Sequence, residues 1–255
     1  MTSDGAWRNV VWLVFAICTL AARDARAQGG PPMITDDPGT PGNVRFDINI
    51  AASLARQPQE RSWGLPAFDL NYGLGERIQL TLQTSLVVLE RDNHGTIGGL
   101  GHVEAAVKWR FLDEETHGFS VSTFPRIIFN VVDSHVRRAL ADDGTRIQSP
   151  VQISRKFGAV VLDFEFGPVL STVGRSEWLY GIVGGTDVTK TTELMAEFHG
   201  TSRMNFAQDV STVNVGVRQK LSDWCTFIAS FGRDVRSPNE EPAAFIGYCG
   251  MQLVF

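Results

Sequence analysis

The chain has 255 residues, 23 Lys and Arg against 28 Asp and Glu, and a formal net charge of −5. That acidic balance argues against a nucleic-acid partner, which would require a basic surface. No stretch after the N-terminus approaches the roughly 18 uncharged apolar residues of a transmembrane helix, so any crossing of a membrane must be made by strands.

In chain order, Arg8 precedes an apolar run from Val10 to Ala22 that is too short to span a bilayer, and Ala25-Arg26-Ala27 has the small-x-small form of a signal-peptidase site. The expectation is a secretory signal over 1–27, cut before Gln28, with Cys18 in the discarded part. Residues 28–42 carry prolines at 31, 32, 38 and 41 and predict an extended periplasmic lead or a short plug. The remainder, 43–255, suits one large β-domain.

From Val44 the pattern has a period of two. Val44, Phe46, Ile48, Ile50, Ala52 and Leu54 alternate with Arg45, Asp47, Asn49, Ala51 and Ser53, as expected of a strand with one face in hydrocarbon and the other in polar surroundings. Pro66 to Tyr72 turns at Gly73–Glu76 into Ile78 to Val88, and Val103 to Phe111 repeats the alternation. Further strands are expected at about 118–130, 148–157, 159–171, 177–185, 191–200, 210–221, 225–234 and 243–255. The predicted class is therefore all-β: an antiparallel transmembrane β-barrel of about twelve strands, ten being the alternative. Pro150 and an outward-parity Arg155 are the weak points of the sixth strand.

Connections after even strands are short and those after odd strands mostly longer, the largest at about 131–147, which places both termini in the periplasm. The last strand ends on Phe255 and would pair with the first to close the barrel, and it would engage the barrel-assembly machinery during insertion. Trp63, Trp109, Trp178, Tyr180, Trp224 and Phe227 suit interface girdles against outer-membrane lipid. Cys225 and Cys249 share outward parity, and a disulfide between them requires close Cβ atoms that hairpin pairing does not favour.

Parity directs Arg45, Arg77, Lys108, Arg110, Arg126, Arg218 and Lys220 inward with Asp47, Asp69, Glu104, Asp163, Glu165, Glu193 and Glu197. This predicts a near-neutral interior in which ion pairs fill much of a narrow lumen. Residues that would set selectivity are Arg77, Glu104, Lys108, Arg110, Asp163, Glu193, Glu197, His199 and Arg218, together with the 131–147 loop. An enzyme would draw on His102 with Glu104, or His199 with Glu197 acting on a serine such as Ser202, but no nucleophile motif accompanies either pair. His94, His117 and His135 lack metal-ligand spacing, and no HExxH, CxxC or phosphate-binding glycine loop occurs, so no cofactor is expected.

Several segments point to a family. Pro32-Met33-Ile34-Thr35-Asp36-Asp37-Pro38, Phe68-Asp69-Leu70-Asn71-Tyr72-Gly73-Leu74 running into Arg77-Ile78-Gln79-Leu80, Val107-Lys108-Trp109-Arg110-Phe111 and Glu197-Phe198-His199-Gly200 resemble the outer-membrane proteins named for the meta-pathway of phenol degradation. The likeness covers most of the mature chain and implies an outer-membrane barrel and, from the family's name, uptake of aromatic compounds. Its motifs mark strand starts and turns and supply no catalytic residues. The expected function is an outer-membrane, porin-like channel for passive transport of small molecules, aromatic or apolar ones among them. A non-transporting structural or surface-interaction barrel is the first alternative, a lipid acyl hydrolase or transferase the second.

Overall fold

The structure is a computed structural model that describes residues 29–92, 95–138, 140–141, 143–206, 209–237 and 245–255. The expected signal segment, its cleavage point and His94 lie outside these residues. Strands β1 (Phe46–Gln57), β2 (Glu60–Leu74), β3 (Ile78–Arg91) and β4 (Gly95–Leu112) are followed by two interrupted strands. These are β5 (Ser120–Thr123 and Arg126–Phe129) and β6 (Arg146–Gln148 and Val151–Phe157). Then come β7 (Val160–Ser171), β8 (Glu177–Asp187), β9 (Thr192–Arg203), β10 (Asp209–Lys220), β11 (Cys225–Arg236) and β12 (Phe245–Val254). Each pairs antiparallel with its neighbours, and β12 closes on β1 from Asp47↔Val254 to Arg56↔Phe245. Closure of β12 on β1 leaves the sheet without an open edge strand, which matters for a wall immersed in hydrocarbon. Among the described residues, only the upper part of β4, above Val103, lacks a strand partner on its β5 side.

The two interruptions share a cause. Pro125 and Pro150 have no N–H to donate, and they lie beside each other in β5 and β6. The chain carries on through them because Phe124 N–H donates to the Pro150 carbonyl and Val107 N–H to the Pro125 carbonyl. Pro150 thus lies within the sixth strand rather than at its start. Arg155 keeps its outward parity two residues before the β6–β7 turn, with its guanidinium 5.0 Å from the Phe157 ring centroid.

Two ends can be distinguished. At the turn end lie the short connections, the start of β1 and Phe255, whose backbone exchanges hydrogen bonds with Phe46. Gly158 there has φ +64, the positive φ that a two-residue primed hairpin turn requires. The loop end differs from expectation in two respects, the first being that β3 runs on to Arg91 and β4 begins at Gly95, so residues 89–91 and 95–102 are strand. Second, residues 55–65 are not a loop: β1 and β2 run to a tight turn at Pro58-Gln59, with Gln57 paired to Glu60. Arg56, Arg61, Glu60 and Arg91 hide the period because polar residues are tolerated on both faces of a strand that rises beyond hydrocarbon.

Outward side chains form an apolar belt. Ile50, Leu70, Leu82, Val107, Ile153, Phe164, Leu194, Val215 and Met251 are all exposed, and a continuous exposed apolar surface of this kind far exceeds the few hundred Å² usual on a soluble monomer. Aromatics flank it at both ends. Phe46 with Tyr72, Trp109 with Phe111 and Trp224 with Phe255 lie at the turn end, while Phe166, Trp178 and Phe206 stack toward the loop end. Cys225 pairs in register with Leu253 and Cys249 with Ala229, which leaves the two four positions apart and free.

Candidate functional site in the lumen

The lead segment 29–45 folds into the barrel. Gly29, Gly30, Pro32, Met33, Thr35, Asp37 and Pro38 are buried, and Thr35 is 0% exposed. A compact turn forms the tip, with Gly30 N–H donating to the Thr35 carbonyl and Met33 N–H to that of Gly30. The chain then runs back to the turn end, where Gly42 passes so close over Gly73 that a Cβ there would lie 1.8 Å from the Gly42 carbonyl oxygen. Val44, at φ +56, turns it into β1. Positive φ in a β-branched residue is strained and marks the junction between plug and wall.

The inward charges of the wall hold this plug mainly through its backbone. Arg218 on β10 donates to the carbonyls of Gly29 (2.7 Å), Gly30 (3.2 Å) and Pro31 (2.8 Å), and Ser230 on β11 to that of Pro32 (2.7 Å). Glu197 on β9 accepts from the N–H groups of Ile34 and Thr35 and from Asn214. Lys108 on β4 reaches Asp36 at 2.8 Å and the Asp37 carbonyl at 2.6 Å. Arg126 on β5 pairs with Glu165 at 3.1 Å and Glu104 at 3.8 Å, and lies 4.0 Å from Asp36, whose N–H donates to Glu165. Phe124 stacks beneath both cations, 4.7 Å from Lys108 Nζ and 4.3 Å from the Arg126 guanidinium.

The two plug carboxylates differ. Burial would raise the Asp36 carboxyl, but Lys108 and Arg126 outweigh it and hold it below its ordinary 3.8. Burial raises Asp37, and Lys108 recovers only part of the shift.

Of the residues expected to set selectivity, Glu104, Lys108, Asp163, Glu193, Glu197 and Arg218 are buried in the lumen. Glu193 pairs with Arg218 at 3.5 Å, and Asp163 lies opposite Ser154. His199 faces inward between Gly181 and Thr212. Arg77 and Arg110 do not belong to this group. Both are clamped to Asp113 at the turn end, and Arg110 also donates to the Glu76 carbonyl. Arg45 is likewise exposed there, and Lys220 pairs with Asp223 in a turn. The expected charge balance is therefore corrected. Within the lumen, Lys108, Arg126, Arg146 and Arg218 face Asp47, Asp69, Glu104, Asp163, Glu165, Glu193 and Glu197 from the wall as well as Asp36 and Asp37 from the plug.

Ser202 does not join His199. β9 pairs without a register shift on either side, so residues three apart point to opposite faces, and the Ser202 hydroxyl donates to Asp209 at 2.5 Å. Sequence reasoning missed Asp36 and Asp37 as site residues and the part that Gly181 plays. Gly181 in fact makes room for the plug: a Cβ there would lie 2.0 Å from Thr35 Oγ1. An inward-parity glycine with no turn to explain it was the available signal.

No family model and no curated protein matches the chain. Solved structures do. The chain superposes on NanC porin with a TM-score of 0.59 at 9% identity, covering 81% of this chain and 98% of that one. KdgM porin gives 0.56 at 10% identity over 81% and 99%. The translocator domain of the autotransporter NalP from Neisseria meningitidis gives 0.53 at 11% identity over 99% and 98%. The fold is that of an outer-membrane β-barrel. At these identities the likeness concerns fold alone, and porins and an autotransporter domain share it.

Proposed function

We propose that this barrel lies in a bacterial outer membrane, with its turn end in the periplasm, as a passive channel for small molecules whose lumen is closed at rest by its own residues 29–41. The apolar belt, the two aromatic girdles and the signal-like N-terminus support the location. The observation that carries the functional reading is the way the plug is held. Glu197, Arg218, Lys108 and Ser230 grip it largely through backbone atoms on a few polar contacts, and it packs little apolar surface, chiefly Met33 against Val183 and Met195. Water can replace such contacts when the segment moves, so the seat suits a removable occupant better than a core. The solutes are small, aromatic or apolar ones included, and anions are disfavoured by the excess of wall carboxylates over Lys108, Arg126, Arg146 and Arg218. Passage is by diffusion.

A non-transporting barrel is the second reading, favoured by the same buried plug. Planar-bilayer conductance separates the two. The intact mature chain is expected to give small or rare openings, and a variant lacking residues 29–39 larger, stable steps. A folded, inserted deletion variant that stays silent would leave the non-transporting reading.

A further inference from the structure

Toward the loop end, above the plug tip, a cavity of about 420 Å³ opens against the wall formed by β12, β1, β2, β3 and β4. It is within the ~300–1,000 Å³ typical of small-molecule sites. Pro31, Met33 and Ile34 of the plug line it on one side. On the wall side lie Ser53, Gln83, Ser85 and Tyr248. Tyr248 is paired in register with Ser53, and Gly64 with Ser53. Gly64 separates the two serines: a Cβ on it would lie 2.5 Å from Ser53 Oγ and 3.5 Å from Ser85 Cβ. Gly101 flanks Ser85 on its other side, where a Cβ would come within 3.1 Å of Ser85 Oγ. Two glycines thus hollow the wall beside a row of hydroxyls.

The shape of this recess follows from register shifts at one level. Leu65-Pro66 form an extra pair opposite Leu86, between Gly64↔Val87 and Ala67↔Ser85. Gly101-His102 stand opposite Ser85 alone, between Thr84↔Val103 and Leu86↔Leu100. Bulges bend strands and re-aim side chains, and they recur beside binding sites. Among the described residues, the side chains of Ser53, Gln83, Ser85 and Tyr248 make no hydrogen bond to the protein, while the charged groups nearby are engaged. Asp36 is bound to Lys108, Arg126 to Glu165, and Asp69 to the amides of Asn49 and Asn71.

We infer that this recess is a binding site for an uncharged small molecule with an apolar ring and one or more hydroxyl groups. The ring rests on the plug tip and the hydroxyls meet Ser53, Ser85, Gln83 and Tyr248. An anionic ligand finds Arg126 already held by Glu165, and bringing its charge out of water is costly without a counter-charge. The inference deepens the channel reading by assigning the solute's chemistry and a station on its path. Because the floor is the plug itself, a ligand seated there contacts the segment that must move.

The test is equilibrium dialysis of radiolabelled resorcinol, a neutral dihydroxybenzene, against the refolded mature barrel in detergent, with a protein-free micelle blank and benzoate as the charged comparison. Saturable one-to-one binding of resorcinol is expected, with none for benzoate. Tyr248→Phe should weaken it several-fold. Gly64→Val, which fills the recess beside Ser53, should weaken it at least tenfold. Heat-modifiable gel mobility checks that each variant is folded, and Ser85→Ala serves if Gly64→Val fails to fold. Absence of saturable resorcinol binding, equal binding of benzoate, or binding unchanged in the folded variants would each overturn the site. Conductance of the plug deletion reports on the channel independently, so binding without conductance would sink only the channel reading, and conductance without binding only this one.

Discussion

Asp36 shows how one residue is placed by competing terms. Its carboxyl is buried, which alone would favour the neutral acid, yet Lys108 at 2.8 Å and Arg126 near 4.0 Å keep it ionised. Because its value in the folded chain is depressed, the stabilisation it gives is complete above its ordinary 3.8 and is lost only as pH falls through the lower folded value. Asp37 is shifted the other way, so its charge opposes the plug at neutral pH and mild acidification relieves that strain. Closure should therefore hold, or tighten, from pH 7 to about 4 and fail only in stronger acid, as read by conductance across a pH series. Lys108→Met should open the plug at neutral pH, since removing one partner of a buried pair costs about 3–5 kcal/mol. Opening of the wild-type chain at pH 5 to 6 would contradict the assignment.

At the scale of elements, the plug and the wall meet through missing side chains as much as through contacts. Gly181 on β8 and Gly216 on β10 face inward and receive Thr35 and Met33 respectively. A Cβ at Gly181 would meet three atoms of the stiff, β-branched Thr35, at 2.0, 2.9 and 3.0 Å, whereas one at Gly216 would meet chiefly the flexible end of Met33 at 2.1 Å. Gly181→Ala should therefore unseat the plug and raise conductance well above that of Gly216→Ala. Equal conductance in the two variants would show that the tip does not depend on this fit. The loop element behaves differently. Helix α1 (Asp133–Arg137) lies against the upper part of β4, whose carbonyls have no strand partner on that side above Val103. His135 makes a ring hydrogen bond to the Leu100 carbonyl at 2.9 Å and Arg138 donates to that of Gly98 at 3.3 Å, so the loop caps a wall edge that β5 is too short to cover.

At the scale of the molecule, the excess of buried acids over Lys108, Arg126, Arg146 and Arg218 makes the interior electronegative once the plug is withdrawn and water enters. The barrel lacking residues 29–39 should pass cations in preference to anions. A reversal potential measured in a KCl gradient would show this, and an anion-selective value would refute the charge assignment. The same excess explains why a sequence-level count suggested neutrality. Arg45, Arg77, Arg110 and Lys220 have inward parity, but each lies within a residue or two of a strand end at the turns, where side chains reach bulk water.

Period-two alternation in β1, β3 and β4 was enough to establish the strands, their inward and outward faces and, through the count of turns, a barrel of about twelve strands with ten left open. The reason is that hydrocarbon on one side and polar surroundings on the other act on every residue of a strand within the membrane. That rule stops at the edge of the bilayer, which is why residues 55–65 concealed two strand ends. It says nothing about depth, so the rim arginines could not be told from Lys108 and Arg218. Which of the two expected forms residues 28–42 take, periplasmic lead or plug, was also beyond the sequence, because a plug held by backbone carbonyls and N–H groups leaves no side-chain pattern of its own. Only the closed barrel brought Glu197, Arg218, Lys108 and Ser230 from four different strands around that segment, and only its bulges and glycines hollowed the recess above it.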